Sequence, residues 1–94
     1  MFVWWRNPEA NERFMKTVEI AYHALLREQR GVSTEQRETA AATAADLYAE
    51  LCAAYPLTLA QTQVKVAIND HFADWQAAIR DGDRIAFIPP VAGG

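Results

Sequence analysis

Apolar and polar residues alternate over residues 16–23, where Val18, Ile20 and Tyr22 fall on one side. Successive side chains of a strand point to opposite faces, so this alternation predicts a strand with one buried face. Residues 25–31 begin with two leucines and end at a glycine, which indicates one helical turn followed by a reversal. Residues 33–39 are polar, and their threonines allow a short edge strand that no periodicity supports.

Helical spacing replaces the alternation over residues 43–55, where apolar residues recur at intervals of three and four. The Thr43 hydroxyl is suited to cap the first turn, with Asp46 at the third position. Pro56 ends the helix because proline cannot continue it. The sequence therefore predicts one main helix whose buried face consists of Ala44, Leu47, Leu51 and Ala54.

The second half of the chain returns to strand patterns separated by turn residues. Residues 64–68 alternate, residues 69–70 form an Asn-Asp turn, and residues 71–73 suit a short return strand. An Asp-Gly-Asp turn at residues 81–83 precedes a last strand over residues 84–88. One helix packed across one mixed sheet buries both apolar faces, so the predicted class is α+β.

Composition restricts the partners and the compartment. The chain has 94 residues, a net charge of −3 and 51% hydrophobic residues, which fits one small globular domain and disfavours nucleic acid as its partner. Cys52 is the only cysteine, which excludes an internal disulfide and suggests a structural role in a reducing cytoplasm. No apolar stretch approaches the roughly 20 residues of a membrane helix, so we expect a cytoplasmic protein without membrane contact.

Residues 1–14 differ from the rest and are interpreted as an N-terminal extension of unknown role. Two interpretations remain open for it. It is either a loosely attached extension or over-long gene start, since Met15 could itself begin the chain, or an anchor for a partner through Trp4 and Trp5.

Groups for independent catalysis are absent from the sequence patterns. His23 and His71 are far apart and lack metal-ligand spacing, and Ser33, the only serine, lies in no nucleophile motif. No glycine-rich phosphate loop is present. The sequence therefore predicts no bound metal or cofactor and argues against an enzyme that acts alone.

The end of the chain, residues 89–94, has an unusual composition. Pro89 and Pro90 fix φ and favour an extended, semi-rigid stalk. Gly93 and Gly94 have no Cβ and resist ordering, so they can pass through a channel too narrow for other residues. This pattern predicts a tail that is inserted into the active site of another protein.

Residues 81–94, DGDRIAFIPPVAGG, closely resemble the end of the small subunit of molybdopterin synthase, a family that typically ends in a DGD turn, an apolar strand and PPVxGG. Weaker similarity extends upstream through residues 66–69, 43–51 and 25–28. The resemblance covers roughly residues 15–94 and implies a ubiquitin-like β-grasp fold over residues 15–88, followed by a tail at residues 89–94.

The resemblance also implies a mechanism for a sulfur carrier. An activating enzyme would adenylate the Gly94 carboxylate with ATP and magnesium, and sulfur from a cysteine desulfurase or rhodanese-type donor would replace AMP. The resulting thiocarboxylate would enter the large synthase subunit and donate sulfur to cyclic pyranopterin monophosphate. This chain would be a sulfur-donating subunit without catalytic groups of its own, and Val91 and Ala92 would enter the channel with the glycines.

The same resemblance, together with strand parity, suggests a surface for docking the large subunit. Phe72 and Ile88 would form an apolar patch on the open face of the sheet. Arg27 would add an ion pair at the rim. The alternative is that Phe72 fills the core. The complete predicted interface consists of His23, Arg27, Phe72, Phe87 and Ile88.

Other functions remain possible on sequence grounds. A thiamine-pathway sulfur carrier shares the implied fold and the Gly-Gly end, although the Pro89-Pro90 pair is not typical of that family. A ubiquitin-like modifier would instead join its terminus to lysines. A binding module that uses Trp4 and Trp5 is a more distant alternative.

Overall fold

Five strands, two α-helices and one short 3-10 helix form the described part of the chain. The computed structural model describes residues 15–90. In chain order the elements are β1 (Lys16–Tyr22), α1 (Ala24–Arg30), β2 (Thr34–Thr39), α2 (Ala44–Ala54), the 3-10 helix (Gln61–Gln63), β3 (Lys65–Ile68), β4 (His71–Ala73) and β5 (Arg84–Ile88).

The strands make one mixed sheet in the order β2-β1-β5-β3-β4. β5 pairs parallel with β1 and antiparallel with β3, while the β1–β2 and β3–β4 pairs are antiparallel. The last strand in sequence therefore occupies the centre of the sheet. Main helix α2 buries its apolar side in the same core as the inner side chains of the central strands. This is the β-grasp, ubiquitin-like arrangement, and the predicted α+β class is confirmed.

The turn before β5 fixes where that strand begins. Gly82 has φ +87, a left-handed conformation that favours glycine, and its N–H donates to the Thr17 carbonyl at 2.8 Å. The Asp81 carboxylate accepts the Thr17 N–H at 2.7 Å. These bonds join the turn to the start of β1, so the two parallel strands run side by side toward the same end of the sheet.

The helix α2 begins and ends where the sequence predicts, but its buried face is rotated. The Thr43 hydroxyl accepts the Asp46 N–H at 3.2 Å, as expected of an N-cap. Tyr48 is 3% exposed, whereas Ala54, predicted to be buried, is exposed. The ring of Tyr48 packs against Phe87 with centroids 5.2 Å apart, so burial of this large aromatic ring sets the orientation of the helix.

A polar cluster fastens the edge strand β2 to the rest of the fold. Arg30 pairs with Glu35 at 2.7 Å, and the Tyr22 hydroxyl donates to the same carboxylate. The Arg30 guanidinium also lies 3.8 Å from the centre of the Tyr55 ring. The pKa of Glu35 is lowered, chiefly because Arg30 donates hydrogen bonds to its ionised form.

We expect Glu35→Gln to cost about 1 kcal/mol of unfolding free energy at neutral pH and progressively less in acid. Because folding lowers the pKa of Glu35, its contribution is complete above the unfolded-state pKa and is lost as pH falls through the folded value. Urea unfolding at a series of pH values measures the difference. Glu38→Gln, an exposed neighbour in β2, is the control. A Glu35→Gln deficit that stays constant down to acid pH would contradict this account.

Candidate docking face and tail root

One face of the sheet is covered by no described element and has a row of small side chains across its middle; this face is called the open face. Its middle row crosses four strands, because Ala21 pairs with Ala86, Ala86 with Ala67, and Ala67 with Phe72. Residues opposite one another in register share a face of the sheet. Three alanines thus form a shallow surface that ends at a phenylalanine on the edge strand β4.

Phe72 is 73% exposed, which is unusual for a large aromatic side chain. The alternative that it fills the core is therefore wrong, and its register partner Ala67 places it on the open face. Ile88 is half-buried and pairs in register with Lys65 on the neighbouring strand. The structure brings Phe72 and Ile88 to one apolar site.

A groove of about 510 Å³ lies at this site, next to the end of β5. Its volume is within the usual range for ligand pockets. The indole N–H of Trp75 donates to the carbonyl of Val64, a residue that lines the groove, at 3.2 Å, and this bond holds that part of the wall in place. The groove is lined by Thr62, Gln63, Val64, Lys65, Phe72, Ile88, Pro89 and Pro90.

The first two residues of the predicted tail differ in burial. Pro89 is buried and lines the groove, whereas Pro90 is exposed. A proline can follow a strand in a buried position because it has no N–H that would require a partner. Pro89 is thus held by the body of the domain, and Pro90, which also lines the groove, is the first exposed residue after β5.

Phe87, predicted as part of the interface, lies in the core instead. Its side chain is fully buried and stacks on Trp75 with ring centroids 5.8 Å apart. Adjacent residues of a strand point to opposite faces, so Ile88 can be on the open face only if Phe87 is on the helix side. Its side chain therefore cannot contact a partner on that face.

His23 and Arg27 lie at the end of the sheet from which the tail departs. His23 follows β1 directly, and its carbonyl accepts the Leu26 N–H at 3.1 Å in the first turn of α1. Both side chains are exposed, and neither forms an ion pair with another residue between 15 and 90. Both side chains are therefore accessible to a partner.

Sequence reasoning missed Lys65 and the preceding loop. Lys65 and Ala67 lie on either side of Val66 in β3, so they share the face opposite the core-facing Val66. Because Ala67 pairs with Phe72, that face is the open face, and strand alternation would have placed Lys65 there. The short 3-10 helix over residues 61–63, which precedes β3, had no such signal. The remaining predicted site residues, Val91, Ala92, Gly93 and Gly94, lie outside the described residues, as do Trp4 and Trp5.

Within residues 15–90 no group of three or more histidine, cysteine or acidic side chains could hold a metal ion. None of the described helices is long and apolar enough to cross a membrane.

Comparison with known proteins identifies the family. Residues 20–94 match the ThiS family. The chain belongs to that family. Among its curated relatives, the molybdopterin synthase sulfur carrier subunit of Haemophilus influenzae is 36% identical over 78 residues, covering 80% of this chain and 96% of the relative. The resemblance to small subunits of molybdopterin synthase is therefore confirmed.

Solved structures agree with the fold of this ThiS-family chain. SAMP1 from Haloferax volcanii, a small archaeal modifier protein, is 28% identical with a TM-score of 0.68, covering 83% of this chain and 99% of that one. A chain of the protein-protein complex of subunits 1 and 2 of the molybdopterin-converting factor from Helicobacter pylori is 29% identical. Its TM-score is 0.58, with 83% and 99% of the two chains covered.

Proposed function

We propose that this chain is the sulfur carrier subunit of a molybdopterin synthase. The observation that carries the proposal is the 36% identity, over almost the whole of the relative, to the Haemophilus influenzae sulfur carrier subunit. The geometry supports it, because the central strand β5 runs directly into the terminal segment. A central strand is hydrogen-bonded to a neighbour on each side, so it fixes the direction in which the following tail leaves the domain.

The first stage of the proposed reaction activates Gly94. A carboxylate is a poor electrophile, so an activating enzyme with ATP and magnesium first joins it to AMP, releasing pyrophosphate. The outer sulfur of a persulfide on the donor protein then attacks the acyl carbon and AMP leaves, which joins Gly94 to the donor through an acyl disulfide. A second thiol attacks the donor sulfur of that S–S bond, so the donor ends as a disulfide and Gly94 carries a thiocarboxylate. The activating enzyme, its nucleotide and its metal all belong to partners, since this chain binds no cofactor in the proposal.

The second stage takes place in the large subunit. The tail places the Gly94 sulfur against cyclic pyranopterin monophosphate, where the sulfur attacks a side-chain carbon and an oxygen substituent leaves that carbon. Hydrolysis of the acyl–sulfur bond leaves sulfur on the pterin and returns Gly94 to a carboxylate. Gly93 provides clearance, and Pro90 stiffens the approach because its φ is fixed. The large subunit supplies the acid and base groups for the pterin chemistry.

The open face is the proposed contact with the large subunit. The Helicobacter pylori neighbour is a complex of subunits 1 and 2 of its converting factor, which supports a partner of this kind. Phe72 and Ile88 supply apolar area beside the tail root, while His23 and Arg27 lie at the rim. Exposed aromatic residues in such a patch commonly contribute much of the binding free energy.

Substitutions of the patch test this contact. We expect Phe72→Ala and Ile88→Ala each to weaken binding of the large subunit by about tenfold, because each removes apolar area from the contact. Isothermal titration calorimetry measures the dissociation constants. Met15→Ala, an exposed apolar residue at the opposite end of β1, is the control and should bind as the unchanged chain does. If all three variants bind equally well, the contact lies elsewhere.

A second candidate function is conjugation to proteins. The likeness to the small archaeal modifier protein, with a TM-score of 0.68, favours it specifically. Both functions begin with an activated terminus, but they differ in the acceptor, which is sulfur for a carrier and a lysine amine for a modifier. Lysine-linked adducts of this chain in cells would favour the modifier.

Intact mass spectrometry tests the sulfur-carrier function. The chain is co-expressed with its activating enzyme and sulfur donor, and its mass should increase by one oxygen-to-sulfur exchange located on the C-terminal peptide. Omission of the activating enzyme is the control. A mass that remains that of the carboxylate under complete conditions would overturn the proposal.

A further inference from the structure

Lys65 is the one charged side chain among the residues that line the groove. Its ammonium group lies 5.8 Å from the centre of the Phe72 ring, within the range of a weak cation–π contact. It forms no ion pair with any carboxylate in residues 15–90. Arg84 differs in this respect, because its guanidinium lies 3.5 Å from the Asp70 carboxylate and 3.9 Å from the Glu19 carboxylate.

The position of Lys65 gives significance to this charge, which is unpaired within residues 15–90. It pairs in register with Ile88, the residue before the buried Pro89, so it lies beside the root of the tail. A ligand in the groove would contact apolar side chains on one side and an ammonium group on the other. A ligand that excludes water from the groove would strengthen the attraction between the Lys65 ammonium and a negative group on that ligand. A ligand without a negative group would leave the buried lysine charge unpaired.

We propose that the groove receives a segment of the large subunit in which a carboxylate binds Lys65 and an adjacent apolar side chain packs on Phe72 and Ile88. The proposal rests on the proposed function and specifies the partner's chemistry. Charge complementarity selects an acidic, apolar segment over a basic one. Binding there fixes Pro89 and Pro90 against the partner, and thereby sets the direction in which the following residues enter its active site.

Zero-length cross-linking provides the direct test. A carbodiimide joins an amine to a carboxylate only when the two are in contact, so the complex of the full chain and the large subunit should give a Lys65 peptide linked to an aspartate or glutamate of the partner. A link from Lys65 to Gly94 within the free chain, with none to the partner, would show that the chain's own tail occupies the groove and would overturn the proposal.

Affinity measurements provide the second test. Lys65→Glu should weaken binding of the large subunit at least about tenfold at low salt, because it places two negative charges together. Lys65→Met keeps the apolar stem without the charge and should weaken binding only about threefold, with a smaller salt dependence. Lys65→Arg should retain most of the affinity.

The outcomes separate this inference from the proposed function. If the unchanged chain binds the large subunit but Lys65 yields no partner cross-link and Lys65→Glu binds normally, the groove proposal is overturned and the sulfur-carrier function stands. If the unchanged chain and the large subunit do not associate at all, both fail.

Discussion

A chain that lacks Gly94 is expected to transfer no sulfur while keeping its fold and its affinity for the large subunit. The reason is chemical, because the reacting carboxylate would then belong to Gly93 and would stop one residue short of the pterin, by about 3.3 Å. In the proposed mechanism, reacting atoms must approach closely, and a displacement of even about 1 Å can cost a hundredfold in rate. Molybdopterin formation with purified partners measures the loss.

The opposite change gives an independent version of the same test. One alanine added after Gly94 blocks the terminus with an extra residue and should be equally inactive. Ala49→Gln, exposed on α2 in the layer opposite the open face, is the control and should transfer sulfur normally. Sulfur transfer at the normal rate by either altered terminus would contradict the mechanism.

Neighbouring residues of β5 should respond in opposite ways to substitution by alanine. Phe87→Ala should lower the free energy of unfolding by about 3–5 kcal/mol, since it opens a cavity among Tyr48 and Trp75. That loss is a large part of the total stability of a small domain. Ile88→Ala should cost about 1 kcal/mol or less, because Ile88 is only half-buried on the open face.

Guanidinium unfolding measures the stability of both variants. Binding of the large subunit is then measured under conditions where each variant is folded. Phe87→Ala should be destabilised but should bind normally when folded, whereas Ile88→Ala should be stable but bind weakly. The assignment of the two side chains would be wrong if Phe87→Ala were as stable as the unchanged chain and bound more weakly.

The strands and the main helix followed from local patterns, because each buries one face and therefore carries a period in its sequence. The alternation of Val18, Ile20 and Tyr22 identified β1, and Thr43 marked the start of α2. The edge strand β2 had no apolar period, since its inner side chains include Glu35 and Arg37, which are paired rather than apolar. Its threonine content alone correctly suggested a strand.

Errors arose where packing between distant elements decides the outcome. Local spacing placed Ala54 on the buried face, but the large ring of Tyr48 rotated the helix toward Trp75 and Phe87. The predicted single turn after β1 is a seven-residue helix whose one buried side chain, Leu26, adds to the core. Local periodicity could indicate neither the aromatic rings that pack on Tyr48 nor the place of Leu26 in the core.

The candidate site was predicted in part. Parity placed Phe72 and Ile88 on the open face, and the same rule should have excluded Phe87, which is adjacent to Ile88. The groove was not predicted because it joins the loop before β3 to the end of β5, segments more than twenty residues apart. The ends of the chain, where Trp4, Trp5 and Gly94 lie, are outside the described residues and stay predictions.

Reconstitution of molybdopterin synthesis tests the central claim most directly. The chain, carrying a thiocarboxylate, is mixed with purified large subunit and cyclic pyranopterin monophosphate, and molybdopterin is measured by fluorescence of its oxidised product. We expect molybdopterin to form with the thiocarboxylate form and not with the carboxylate form. No molybdopterin from a verified thiocarboxylate, together with rescue of thiazole synthesis by the same protein, would contradict the account.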